Sequence, residues 1–179
     1  MNRFLTCTAL ILVAACSKAD DQPAANGAGL DAPAGSALKK LDGTDAGMVT
    51  LSEDGNGVTI KVEAAGLQPG SHGLHLHTVG RCDGVKFDSA GPHWNPTGKQ
   101  HGRDNPQGAH LGDLANLDVG DNGRGATTFL VGGATLTGSQ NPLLDLDGAA
   151  LVIHAKPDDY KTDPSGASGD RIACAVLQG

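Results

Sequence analysis

Residues 72–77 read HGLHLH and hold three of the seven histidines in this 179-residue chain. On an extended strand side chains alternate between faces, so His75 and His77 share a face with Cα atoms about 6.6 Å apart. Two convergent neutral imidazoles make half of a metal site. The same six residues also read as a polar strand that happens to carry histidine, and the rest of the chain must decide between the two.

Outward from this stretch, short alternating or β-branched apolar runs recur: MVTL (48–51), VTIKV (58–62), LHLHTV (74–79), LANLDV (114–119), ATTFLV (126–131), ALVIHA (150–155) and RIACAVL (171–177). None is long enough for an amphipathic helix. EDGNG (53–57) and DNGRG (121–125) are hairpin-type turn signals, and 27 glycines suit a domain with many turns. The pattern predicts an all-β antiparallel sandwich or small flattened barrel. Two stretches break it, 80–112 and 156–170, both polar and rich in Gly and Pro. Long loops in a compact domain are usually functional or disordered.

The first residues of the chain point to export. Residues 1–15, MNRFLTCTALILVAA, have one basic residue and an apolar run too short to span a bilayer, the layout of a secretory signal. The run ends VAAC, which resembles a bacterial lipobox and makes Cys16 the expected lipidation site; ordinary signal cleavage nearby is the competing reading. Residues 16–36 then form a lipidated cysteine and a disordered tether poor in apolar bulk. Residues 37–179 are one domain's worth of chain. The expected location is the periplasm, tethered to a bacterial membrane, with membrane contact only through the lipid. Of the four cysteines, Cys82 and Cys174 remain in the folded part. An oxidising compartment allows them to pair, and closing a separation of 92 residues would confer about 4.6 kcal/mol on the chain-entropy account. Two soft metal ligands or two inert thiols are the alternatives. Net charge is −7 with no basic cluster, which argues against nucleic acid as a partner.

In the first loop His93, His101 and His110 are spaced 8 and 9 apart, and Asp113 follows. Three imidazoles and a carboxylate are a donor set that Zn²⁺ accepts, and such a shell would order the loop. His154 sits in the apolar run ALVIHA. All seven histidines thus fall in three segments, which makes a merely solvated loop a poor account.

GLHLH, AGPHWNP, HG, AHLGDL, LVIHAKPDD and RIAC resemble, in this order, the motifs of the copper,zinc superoxide dismutases, from about residue 37 to the end. The resemblance implies a Greek-key antiparallel sandwich or flattened barrel of about eight strands with two long functional loops. It implies copper held by His75, His77, His93 and His154, and zinc held by His93, His101, His110 and Asp113, His93 being shared. Asp158 matches the carboxylate that links a copper-bound to a zinc-bound histidine, and Arg171 the arginine beside the open copper face. His72 matches a histidine that holds loop backbone; Trp94 reads as loop packing. Cys82 lies eleven residues before His93, a placement resembling the bacterial branch. The implied activity is dismutation of superoxide to O₂ and hydrogen peroxide by one-electron cycling of copper, with Arg171 and His93 as the catalytic residues. The rival is an exported copper-buffering lipoprotein without turnover, which needs neither a complete zinc set nor Arg171. A homodimer is compatible with the sequence, which does not reveal assembly.

Overall fold

The computed structural model describes Met1 and residues 35–178, so the expected signal segment, Cys16 and nearly all of the tether lie outside the described residues. Nine strands are present among them: β1 Gly35–Lys40, β2 Asp45–Asp54, β3 Gly57–Ala65, β4 Gly70–His72, β5 Leu74–His77, β6 Leu117–Val119, β7 Arg124–Gly132, β8 Ala150–His154 and β9 Arg171–Val176. Seven form one antiparallel sheet in the order β5-β8-β9-β1-β2-β3-β7, and β4 pairs with β6. Every expected strand contributes to an observed one.

The differences have local causes. β1 was not expected, because GSALKK offers only Leu38 as an inward aliphatic residue. It begins at Gly35, two residues before the expected start of the folded part. β4 has three residues and no apolar one. Within LANLDV only Leu117–Val119 is strand, since the Asn116 amide donates to the Tyr160 phenol at 2.9 Å and not to a ladder. LHLHTV stops as a strand at His77: Thr78 and Val79 donate instead to the carbonyls of Pro92 and Ala90. EDGNG makes the β2–β3 hairpin, with Asp54 facing Gly57. DNGRG is a tight turn, but it joins strands of different sheets, because β6 pairs with β4.

One hydrophobic cluster contains Leu38, Val49, Ile60 and Val62 from one half of the large sheet and Leu74, Leu76, Leu151 and Ile153 from the other. A flat sheet cannot bring both halves to one core, so the sheet curls around it, the flattened barrel expected from the sequence. Trp94 packs into the same core and donates its amide to the Leu76 carbonyl at 2.7 Å. All five residues of β8 are buried, because its second face is covered as well. That second face carries the site.

Candidate metal centre

On β5, Leu74 and Leu76 enter the core while His75 and His77 project from the other face, under the long loops. His75 lies opposite Val152 of β8, and a register shift between Ile153 and His154 re-aims the end of β8. The first loop returns to the edge of β5 through bridges pairing His77 with His93 and His75 with Asp113. Two strands and one loop thereby place seven side chains around a common space.

Hydrogen bonds fix which ring nitrogen faces that space. His77 Nδ1 donates to the Gly91 carbonyl at 2.9 Å and His154 Nδ1 to the Gly169 carbonyl at 3.1 Å, leaving each Nε2 with its lone pair. His75 Nε2 and His101 Nε2 donate to opposite oxygens of Asp158, at 2.8 and 3.0 Å, leaving each Nδ1 free. Five ring nitrogens are buried without a hydrogen-bond partner among the described residues: His75 Nδ1, His77 Nε2, His93 Nε2, His101 Nδ1 and His154 Nε2. Buried polar atoms are normally satisfied, so five such nitrogens in one place are a donor set suited to a cation.

The donors form two groups that share His93. His75, His77, His93 and His154 each bring a ligand atom within 4.8 Å of the others, as do His93, His101, His110 and Asp113. In the second group Asp113 Oδ1 lies 2.9 Å from His93 Nδ1, 3.1 Å from His101 Nδ1 and 3.0 Å from His110 Nδ1. A tetrahedral ion with bonds of about 2.0–2.1 Å separates its donors by roughly 3.3 Å, so this cluster fits zinc nearly as it stands. Four imidazoles without a carboxylate suit copper. Asp113 Oδ2 meanwhile accepts the amides of Gly102 and His110, at 2.9 and 3.0 Å, which pins the loop around the donor.

Burial sets the charge states. It holds His77 down at about 2, His154 at about 3 and His93 at about 4, with neighbouring imidazoles adding repulsion, and it lowers His75 as well. These rings are neutral at physiological pH, the form that binds metal. His101 goes the other way: burial would lower it, but Asp113 and Asp158 together outweigh burial and raise it to about 9. Burial would raise both carboxyls, yet the histidines hold Asp113 and Asp158 well below the usual carboxylate range.

A cavity of about 250 Å³ opens on this group, lined by His77, His93, His154 and Arg171 with Pro92, Pro164, Ser165 and Gly169. The Arg171 guanidinium donates to the carbonyls of Phe87 and Gly91, at 2.8 and 2.7 Å. Both carbonyls belong to the segment that the Cys82–Cys174 disulfide ties to β9, with Cα atoms 5.8 Å apart. His72 lies outside the cluster, 2.7 Å from the His154 carbonyl and 2.9 Å from that of Gln68.

The family model of copper/zinc superoxide dismutase matches residues 45–177. The chain belongs to that family. Superoxide dismutase [Cu-Zn] 1 of Aquifex aeolicus is 44% identical over 138 residues, 76% of this chain and 82% of that protein. The superoxide dismutase [Cu-Zn] of Caulobacter vibrioides is 40% identical over 144 residues, 79% of this chain and 83% of its own. A crystal structure of a SOD-like protein from Bacillus subtilis superposes with TM-score 0.76 at 39% identity, covering 80% of this chain and 97% of that one. The Cu/Zn superoxide dismutase of Brucella abortus gives 0.62 at 28% identity, covering 81% and 99%. The activity of the chain is therefore dismutation of superoxide, with copper and zinc as cofactors.

Three groups that bear on this dismutase site carry little signal in the sequence. The Asn116 side chain grips the Asp158 backbone from both sides, donating to its carbonyl at 3.0 Å and accepting its amide at 2.9 Å. The carbonyls of Gly91 and Gly169 orient His77 and His154, and no residue identity reports a carbonyl's direction. Gly166, at φ +66°, lies so close that a Cβ there would collide with Asp158 Oδ1. Of the three, only the glycine leaves a trace in the sequence, as one among many.

Proposed function

We propose that His75, His77, His93 and His154 hold the copper and that His93, His101, His110 and Asp113 hold the zinc, with His93 between them. The observation that carries this reading is the set of five orphaned ring nitrogens, each freed by a hydrogen bond on its other side or by burial. Copper bound there supplies one-electron cycling between two oxidation states, which zinc does not. The chain's own residues do the rest. Asp158 holds His75 and His101 in one tautomer and orientation. Arg171 presents a guanidinium, fixed by two carbonyls, to an anionic substrate in the cavity beside His77, His93 and His154. His93 lines the same cavity, and its Nε2 would carry a proton to the product while that nitrogen is not bound to copper. Asp113→Asn should lose most zinc and keep most copper, whereas His93→Ala should disturb both, with metal content and superoxide consumption measured together. Equal loss of both metals in Asp113→Asn contradicts the division; one copper and one zinc without turnover favours the buffering reading.

We infer also that residues 1–15 direct export, that Cys16 carries the lipid, that 16–36 is the tether and that 37–179 is the enzyme, facing the periplasm. The VAAC sequence and the disulfide support this reading, since structural disulfides belong to oxidising compartments. Among the described residues no helix is long and apolar enough to cross a membrane. A Cys16→Ala protein should leave the membrane fraction with full dismutase activity; a mutant that still pellets with membranes has another anchor.

A further inference from the structure

Tyr160 is the chain's single tyrosine, and four of its groups meet four different partners. Its amide donates to Asp158 Oδ1 at 2.7 Å, and its carbonyl accepts the amide of Asp104 at 3.0 Å. Its phenol oxygen accepts the amide of Asn116 at 2.9 Å, and its ring lies under the Arg103 guanidinium, 3.7 Å from the centroid. Arg103 and Asp104 lie two and three residues after His101 in the first loop, whereas Tyr160 belongs to the second. The residue has φ +62°, a conformation that aromatic residues seldom adopt and that persists where surrounding contacts over-determine it.

These contacts converge on Asp158. Its Oδ1 is shared between His101 Nε2 and the Tyr160 amide, its Oδ2 takes His75 Nε2, and its backbone is held by Asn116. A carboxylate in an irregular loop must sit within a few tenths of an ångström to serve two imidazoles at once, and the loop's own backbone does not supply that precision. We propose that Tyr160, gripped between Arg103 and Asn116, is the positioning residue that fixes the Asp158 carboxylate, and so couples the order of the zinc-side loop to the orientation of His75. This rests on the ligand assignment above. The contacts to Arg103 and Asn116 are made by the ring and phenol, so they depend on this side chain; the contacts to Asp158 and Asp104 are backbone and do not.

The test uses the copper- and zinc-loaded protein and substitutes no proposed ligand. Tyr160→Asn removes ring and phenol while tolerating a positive φ; Tyr160→Phe removes only the phenol hydroxyl, and Arg103→Ala only the stack. Two properties are read: the rate of zinc loss to a chelator, and the electron paramagnetic resonance spectrum of Cu(II). Removing a group that itself orients a metal ligand costs about 10–100-fold in metal affinity; Tyr160 acts one step further out, through Asp158, so Tyr160→Asn should sit at the low end of that range, release zinc up to about tenfold faster and shift the copper spectrum. The two milder variants should fall between it and wild type. Zinc release within about twofold of wild type and an unchanged spectrum in Tyr160→Asn overturn the proposal, whatever the melting temperature does. A change in one property alone overturns it too, because the coupling requires both. Wild-type protein that takes up no zinc sinks the ligand assignment and this inference with it; wild-type binding with indifferent variants sinks this inference alone.

Discussion

An imidazole buried without a proton is prepared for metal and vulnerable to acid. In the metal-free fold His77, His93 and His154 are held at about 2, about 4 and about 3 against 6.5 in the unfolded chain, chiefly by burial. Below pH 6.5 the unfolded chain takes up protons that the fold refuses, so stability falls with pH, by up to about 1.4 kcal/mol per pH unit for each such group. His101, raised to about 9 by its two carboxylates, acts with the opposite sign: its contribution is fully present below 6.5 and is lost as pH rises through 9. Metal-free protein should therefore be most stable near pH 6.5 and lose melting temperature on either side, more steeply towards pH 4. Thermal unfolding of the apoprotein across pH 4–10 checks this, and a flat profile between 4 and 6.5 means that the rings are not buried neutral. The histidines stand out in the sequence because there are only seven of them and their spacing is distinctive, whereas Asp113 stands out only through its place after His110. Asn116 and Tyr160 do not, since an amide that clamps a backbone looks in sequence like any polar loop residue.

At the scale of elements, alternation told most of the story where one face of a strand is apolar and the other carries chemistry. β5 is the clearest case, with Leu74 and Leu76 in the core and His75 and His77 opposite. β8 was legible as an apolar run for a different reason: the loops seal its second face, so Val152 is as buried as Ile153. β1, which lies between β9 and β2, and the short β4 were hidden because their pairing rests on backbone hydrogen bonds, which GSALKK and GSH form with little apolar signature beyond Leu38. The ending of LHLHTV at His77 was hidden for a related reason. Thr78 and Val79 favour strand, but the returning first loop offers carbonyls at Pro92 and Ala90, and the site is built where the ladder gives way to that loop. The disulfide does comparable work between elements. By fixing Cys82 to β9 it restrains the segment whose Phe87 and Gly91 carbonyls hold Arg171, and Gly91 also orients His77.

On the scale of the whole molecule the problem is charge. Superoxide is an anion and the chain carries a net charge of −7, so its average field repels the substrate. A local cation in a narrow cavity can still focus an anion onto one spot. Arg171 lines the cavity and is the cation we propose for this role, with Lys156 and Lys161 exposed on the second loop as further positive charge. At about 5 Å in near-aqueous dielectric each unit of charge is worth about 0.8 kcal/mol, so Arg171→Gln should slow turnover roughly fourfold and Arg171→Glu roughly tenfold or more. Screening weakens attraction and repulsion alike. Added salt should thus slow the wild type, slow Arg171→Gln less, and leave Arg171→Glu unchanged or faster. Copper content has to be measured beside activity, because Arg171 shares the Gly91 carbonyl with His77 and a glutamate there would face two carbonyl oxygens. Arg171→Lys separates the two roles: it keeps the charge and loses the two-pronged grip, so it should retain the wild-type salt slope even where its rate is lower. If Arg171→Gln and Arg171→Glu keep their copper and match the wild type in both rate and salt slope, Arg171 serves only to brace the Phe87–Gly91 segment, and the substrate is drawn in by some other part of the surface.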